Sequence, residues 1–352
     1  MSDNWRISRV STFEELRQRC PALDTQVGSS IFSTLDWFET LARFGFEPAQ
    51  KPCLLLAENT ATASIFCLPL AGNRNLHSLS NFYSSLFEPI GGLPDDPCCT
   101  LQKIFQSAGN PATIDLHPLD AESPALPVMV EALKAAGFWV DTYFCFANWV
   151  LDTSGRDFER YFAERPAQLR NNVRRGRHKL DREGPWEISI STGSGDESEL
   201  EAAIAAFEAV YARSWKEAEP FPRFIGALCR IAAARGWLRL GILKLGETPV
   251  AAQLWLVHNQ IAYIYKLAYD EQYRRLSAGS VLTAALMRHT IDIDRVTLVD
   301  YLTGDEAYKR DWMSRRRERV GIVAFRPTTV GGLMAASRHT LGKLSKRLHL
   351  RA

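Results

Sequence analysis

Three apolar runs, 238–245, 250–258 and 261–269, follow one another with only 246–249 and 258–260 to connect them. Parallel neighbours need a crossover of a dozen or more residues, so connections this short leave antiparallel hairpins as the solution. The second half of the chain is therefore built on a three-stranded meander, and the remaining segments fall around it. A strand at 186–191 follows the breakers Gly184 and Pro185, and helices at 197–216 and 222–235 come next, the latter closed by Gly236. After the meander the pattern predicts a helix over 278–291, a strand over 296–302, a short helix around 308–317 and a strand over 321–325. The order is β, α, α, β, β, β, α, β, α, β, an α/β (α+β) arrangement with a mixed, mostly antiparallel sheet flanked by helices.

The first half alternates helix and strand less regularly. Thr12 or Ser11 caps a helix at 13–19, a second helix spans 34–43, and strands at 53–58 and 63–70 form a hairpin. A loop rich in Asn, Ser, Gly and Pro covers 78–97 with weak strand character near 87–90; a helix at 127–136 ends at Gly137, and a strand over 139–150 follows. At 352 residues the chain exceeds one ordinary domain, and the expected division is 1–152, 153–330 and a basic amphipathic helix at 331–352.

An apolar fraction of 46% with 23% charged residues describes a folded chain, not a disordered one. The polar start lacks the apolar core of a signal peptide and no run is long enough to cross a bilayer, so a cytoplasmic location is expected. Seven cysteines without CxxC spacing or neighbouring histidine pairs read as reduced thiols, and no metal is expected. The net charge of +2 disfavours a general polyanion binder, although 165–182 and the arginines at 315–319, continued by 343–351, are basic.

Two runs carry a resemblance: 269–282 (Tyr-Asp-Glu-Gln-Tyr-Arg-Arg-Leu-Ser-Ala-Gly-Ser-Val-Leu) and 300–312 (Asp-Tyr-Leu-Thr-Gly-Asp-Glu-Ala-Tyr-Lys-Arg-Asp-Trp). With the basic helix at 168–180 they resemble the GNAT superfamily of acyltransferases over 155–315, in the branch of FemAB-like peptidyl transferases and BioF2-like (CelD-type) acetyltransferases. The stretch 31–41 and the hairpin after it are similar to the degenerate first lobe of such proteins, so two tandem GNAT-like lobes are implied, the first shaping the acceptor cleft.

The resemblance implies acetyl-CoA or a longer acyl-CoA as co-substrate. The junction from Arg274 to Ser280 stands where the superfamily has its diphosphate loop, Gln/Arg-x-x-Gly-x-Gly/Ala, with Ser277 in place of the first glycine and Gly279 retained. Small residues there let free amides and a helix N-terminus approach phosphate closely, which makes Ser277, Ala278, Gly279 and Ser280 cofactor-binding candidates, with Arg274 and Arg275 as cationic partners. The alternative is a helix start capped by Ser277 with both arginines in solvent.

The resemblance also implies that the strand 264–268 parts from its neighbour and offers its backbone to the pantetheine arm, with Leu267, Ala268 and Tyr269 beside the thioester. Tyr265 and Lys266 face the substrate in this reading; a lysine inside an apolar strand is otherwise an edge residue. Asp300 and Asp305 are candidate general bases or acceptor-orienting groups, and Tyr308 a candidate general acid toward the thiolate. Lys309 and Trp312 complete that face, unless Gly304 and Asp305 merely cap a helix whose Trp312 is core. Arg170 and Asn171 on the basic helix are candidates for an anionic acceptor. The implied reaction acylates an amine of a small molecule, with a sugar-linked cell-envelope or polysaccharide precursor as acceptor by analogy. Two rivals remain: an aminoacyl-tRNA-dependent Fem-type transferase, for whose helical hairpin 216–222 has no room, and a non-catalytic module holding nucleic acid or an anionic polymer. The tail 333–351 is open to a peripheral membrane role or to packing on the protein body.

Overall fold

The computed structural model describes residues 4–24, 28–94 and 96–349, and the chain divides into two compact units, Met1–Phe146 with Glu318–Ala352, and Ala147–Arg317. In the first, β1 (Trp5–Val10) leads into α1 (Phe13–Arg19), whose first turn is capped by Thr12 Oγ1 accepting from the Glu15 amide at 3.1 Å. Thr34 caps α2 (Leu35–Phe44) in the same way, and Leu35, Trp37, Phe38 and Leu41 turn into the core. Next come β2 (Pro52–Asn59), β3 (Ile65–Gly72), β4 (Asn75–Ser78), α3 (Pro97–Ser107), β5 (Thr113–Asp120), α4 (Ala125–Ala135) and β6 (Trp139–Asp152).

The second unit begins with α5 (Phe158–Ala163) and α6 (Ala167–Glu183), followed by β7 (Trp186–Ser191), α7 (Glu197–Ala212) and α8 (Pro222–Ala234). The meander is β8 (Leu238–Leu245), β9 (Thr248–His258) and β10 (Ile261–Tyr269); α9 (Ala278–Arg288), β11 (Leu298–Thr303) and α10 (Ala307–Trp312) close the unit. β12 (Arg315–Phe325) and α11 (Val330–His349) carry the chain back into the first unit.

Each unit has one sheet layout. In the first the strands lie in the order β1-β2-β3-β4-β5-β12, antiparallel except where β4 lies beside β5. In the second the order is β7-β8-β9-β10-β11-β6, antiparallel except where β10 lies beside β11. The two halves thus repeat the order β, α, α, β, β, β, α, β, α, β and exchange their last strand: 148–152 of β6 pair with β11, and 319–325 of β12 pair with β5.

This exchange moves the boundaries. The units change over at 146/147 and 317/318, inside β6 and β12, where the sequence suggested 152 and 330. The basic run at 315–319 is strand, not the end of a helix: Arg319 is 1% exposed against Asp120, while Arg315 and Arg316 stay on the surface. The tail helix is tied to its own unit, since Asp141 of β6 accepts from Lys343 and pairs with His339 Nε2 at 2.7 Å. Of its apolar residues Leu333 and Leu341 are exposed, and the side chains from 344 onward lie outside the described residues. Among the described residues no helix is long and apolar enough to cross a membrane.

Candidate active site

The meander positions the site by what happens to its third strand. β10 pairs with β11 only at Ile261↔Leu298, Ala262↔Val299 and Tyr263↔Asp300, while on its other side it stays paired with β9 as far as Tyr269↔Ala251. An irregularity between Ile264 and Lys266 interrupts that second ladder, and β11 has its own between Asp300 and Thr303, with Leu302 at φ 57°. Irregularities of this kind bend and twist a strand. Two strands so treated diverge, and the stretch from Ile264 to Ala268 no longer lies against β11.

The turn after β10 is fixed from several sides. Asp270, 2% exposed, accepts from Arg213 Nε at 2.6 Å and from the Gln272 amide at 3.0 Å. A single 3₁₀ segment, Glu271–Leu276, then brings the chain to Ser277, whose φ of 56° is the left-handed conformation in which glycine is at ease. α9 begins at once with Ala278, and the first amides of a helix have no intrahelical acceptor. Gly279 leaves its face open: a Cβ there would meet only Tyr269 Cδ1, at 3.4 Å. Its carbonyl is held by Gln253 Nε2 at 3.0 Å and Thr283 Oγ1 at 2.9 Å, and Gln253 is held in turn by Trp255 Nε1 at 2.9 Å.

The basic helix α6 braces this turn. It buries Leu169, Val173, Gly176 and Leu180, and Gly176 comes so close that a Cβ would stand 3.1 Å from the Leu276 carbonyl oxygen and 2.9 Å from Val281 Cγ2. Lys179 Nζ donates to the Arg275 carbonyl at 2.6 Å, and the Arg275 side chain pairs with Glu183 at 2.7 Å in an exposed ion pair of the kind that contributes little. Arg274 is exposed. Arg170, donating to the Arg165 carbonyl, and Asn171, accepting from Arg174, lie on the outer face of α6.

At the parted strands, Lys266 Nζ lies 2.5 Å from Glu219 Oε1 and 5.7 Å from the centre of the Tyr211 ring. Burial, and then Glu219, push the Tyr211 hydroxyl well above its ordinary range. Trp215 lies against Tyr269 with ring centres 4.5 Å apart, and Tyr265 is half-buried. Tyr211, Trp215, Lys216 and Glu219 were not singled out from the sequence, where 197–216 reads as a helix and 216–222 as the short loop after it. The density of aromatic and charged residues in Ser-Trp-Lys-Glu-Ala-Glu was the available signal.

The carboxylates expected as bases are both held by neighbouring donors. Asp300 is 2% exposed and accepts at Oδ1 from Asn148 Nδ2 (2.6 Å) and the Leu302 amide (2.7 Å), and at Oδ2 from Arg317 Nη2 (2.6 Å). A carboxylate with both oxygens bonded and a guanidinium alongside braces the strands around it. Asp305 accepts from Trp149 Nε1 at 2.7 Å and Arg316 Nε at 3.0 Å, which hold its pKa below the usual carboxylate range and make it a weak proton acceptor.

Trp312 is core, 3% exposed, and its carbonyl accepts from Tyr161 Oη at 2.9 Å. Lys309 is buried, donates to the Thr303 carbonyl and pairs with Glu306 at 2.9 Å. Tyr308 is 44% exposed and meets Tyr301 edge-on at 5.7 Å; burial, then the charge of Glu306, push its pKa up to about 12. Among the described residues no three His, Cys, Asp or Glu side chains are grouped to hold a metal ion.

Residues 167–310 match the family model described as acetyltransferase (GNAT) domain. No curated protein matches the chain by sequence. Among solved structures, FemX is similar over 91% of this chain and 96% of its own, at 10% identity and a TM-score of 0.58. The C-terminal domain of a protein described as a lysylphosphatidylglycerol synthetase, from Agrobacterium fabrum, covers 94% of this chain and 97% of its own, at 12% identity and a TM-score of 0.58. The L-PGS structure from Bacillus licheniformis covers 93% of this chain and 96% of its own, at 11% identity and a TM-score of 0.55. Identities this low speak for the fold alone. The matched domain contains the parted strands, the Ser277 turn and Tyr308, so residues 167–310 of this chain form an acetyltransferase (GNAT) domain.

Proposed function

We propose that the second unit binds an acyl-coenzyme A, acetyl-CoA or a longer thioester, and transfers its acyl group to the amine of a small molecule, with a cell-envelope or polysaccharide precursor as the class of acceptor. The observation that carries this reading is the parting of β10 from β11 after Tyr263↔Asp300, directly before the turn at Ser277. An extended arm with amide groups can pair with 264–268 as an added strand. A diphosphate can then lie on the first amides of α9, at Ala278, Gly279 and Ser280, where the helix dipole favours negative charge.

In this arrangement the neutral amine attacks the thioester carbonyl carbon, and strand amides near Leu267 and Ala268 meet the developing oxyanion. The carbon–sulfur bond then breaks. Tyr308 is protonated throughout the neutral range and hands its proton to the departing thiolate, while the new amide nitrogen sheds one proton to solvent, so that an amide and free coenzyme A result. The phenolate regains its proton from water.

Thermal unfolding with coenzyme A, acetyl-CoA and thioesters of increasing chain length tests the reading. A ligand bound only by the folded state raises Tm by mass action, and an optimum chain length reports the depth of the acyl pocket. No shift with any of these compounds would overturn it. The aminoacyl-tRNA-dependent alternative has the FemX-like fold behind it, whereas α7 and α8 leave only 213–221 between them for a helical hairpin. Filter binding with charged tRNA separates the two.

A further inference from the structure

Lys216 differs from the other lysines near the parted strands. Its backbone is fixed by the turn after α7: the Lys216 amide donates to Ser214 Oγ at 3.3 Å, Ser214 Oγ donates to the Tyr211 carbonyl at 2.7 Å, and Arg213 reaches Asp270 and the Pro249 carbonyl. Its ammonium lies 5.8 Å from the centre of the Tyr211 ring and 5.7 Å from that of Trp215, and among the described residues it has no carboxylate within ion-pair distance. The charged groups that act on it are Lys266, Lys309, Glu219 and Glu306.

Lys266 is paired with Glu219 at 2.5 Å and Lys309 with Glu306 at 2.9 Å. Those two pairs cancel, which leaves Lys216 as an unbalanced positive charge in a half-buried place. Burial first, and Lys266 next, lower its pKa, so the fold holds this ammonium at a cost; such groups concentrate where a ligand supplies the missing partner.

Position says which ligand. Lys216 and Lys266 share the Tyr211 ring, and Lys266 stands on the stretch of β10 that has left β11, where the reacting carbonyl lies in the proposed mechanism. An anion held there is next to the bond being made and belongs to the acceptor. A surplus of one charge matches a single carboxylate better than a doubly charged phosphate.

We propose that Lys216 determines acceptor specificity by binding a carboxylate close to the reacting amine, so that the acceptor is an amino acid or a molecule ending in one. This rests on the transferase reading above. The test measures release of coenzyme A thiol from acetyl-CoA, or from whichever thioester gives the largest thermal shift, with free L-α-amino acids, the matching carboxamides and aminoalkylphosphonates as acceptors. For the preferred side chain, kcat/KM is expected to be at least about tenfold higher for the acid than for the carboxamide. Lys216→Gln should remove that ratio through KM, and Lys216→Arg should restore part of it, with acyl-CoA affinity by calorimetry the same in all three proteins. An equal rate for acid and carboxamide, or a ratio that survives Lys216→Gln, overturns the inference, and so does a preference for the phosphonate. Weaker acyl-CoA binding in Lys216→Gln with the ratio intact also overturns it, by assigning the lysine to the coenzyme. Wild-type protein that binds no acyl-CoA overturns the transferase reading itself, and this inference with it; binding without acid preference sinks the inference alone.

Discussion

Each unit sets one parallel pair of strands in an otherwise antiparallel sheet, and the two pairs end differently. β4 and β5 share three rungs, Asn75↔Thr113, Leu76↔Ile114 and His77↔Asp115, just as β10 and β11 share three that finish at Asp300. In the second unit β10 continues to Tyr269 and the chain turns cleanly into α9. In the first, β4 stops at Ser78 and the chain folds into the space beyond: Ser78 Oγ donates to the His117 carbonyl at 2.7 Å, Ser80 Oγ donates to it at 2.6 Å, and the Phe87 amide donates to the Pro118 carbonyl at 2.6 Å. Ile90 and Cys67 then exchange backbone bonds at 2.8 and 2.9 Å, and Leu79, Tyr83, Phe87 and Ile90 are buried. One topology therefore ends its parallel pair either with β10 running on past its partner or with the following segment folded back over the strands.

The largest expected effect comes from that folded-back segment. Phe87 is 1% exposed and packs edge-on against Phe38 at 5.9 Å, so Phe87→Ala should destabilise the protein by about 3–5 kcal/mol, read as a lower denaturation midpoint. The folded fraction should bind acyl-CoA with wild-type affinity. A large loss of acyl-CoA affinity at unchanged stability would mean that the first unit is the one that binds.

Asp300 and Asp115 occupy the same last rung, but they are braced differently. Asp115 accepts from Tyr143 Oη at 2.6 Å and is partly exposed, whereas Asp300 is enclosed by Asn148 and Arg317. Asp300→Ala strands the Arg317 cation and should cost about 3–5 kcal/mol. Assayed below its new melting point, the variant should keep the pH profile of acyl transfer, because a brace moves stability and a base moves the acidic limb. A lost acidic limb would give Asp300 the role of base.

Chain positions far apart explain what the sequence left unread. The meander, the Ser277 turn and the element order of the second half follow from local signals, namely connections too short for a crossover and a serine–alanine–glycine junction before an apolar helix. The first half hid β4, only four residues long, and β5, where Pro118 and the polar residues at 115 and 117 mask the strand. α3 also went unread, although Asp96 and Pro97 mark its start. The exchange of β6 and β12 has no local sign, since each strand's partner lies well over a hundred residues away. For the same reason Asp300 and Arg317 read as free charges in sequence, and only pairing shows that they neutralise each other.

Adding bulk at the start of α9 is the converse experiment. Gly279→Ala places a methyl 3.4 Å from Tyr269 Cδ1, an ordinary contact, and should change acyl-CoA affinity only a few-fold. Gly279→Leu puts a branched side chain where the diphosphate is proposed to lie, and should weaken binding by about a hundredfold or more with Tm near that of the parent. Calorimetric titration of both variants decides it. Equal affinities for alanine and leucine would move the phosphate site away from α9.

The smallest effect concerns proton transfer and has no counterpart to test in the first unit. Tyr308 lies partly in solvent and its hydroxyl titrates only near 12, so Tyr308→Phe should leave Tm almost unchanged while lowering kcat about ten- to a hundredfold, with acyl-CoA affinity preserved. The sign of the pH dependence follows from the raised value. A phenol that keeps its proton up to about 12 supplies acid throughout the neutral and mildly alkaline range, so the wild-type rate should rise as the acceptor amine loses its proton and show no fall attributable to Tyr308 below about pH 11. Losing the tyrosine should then lower the whole profile without shifting its rising limb. If the wild-type rate falls through pH 8–9 and the fall disappears in the phenylalanine variant, the hydroxyl titrates near neutrality and acts as a base on the amine, which reverses the direction of proton flow at the site.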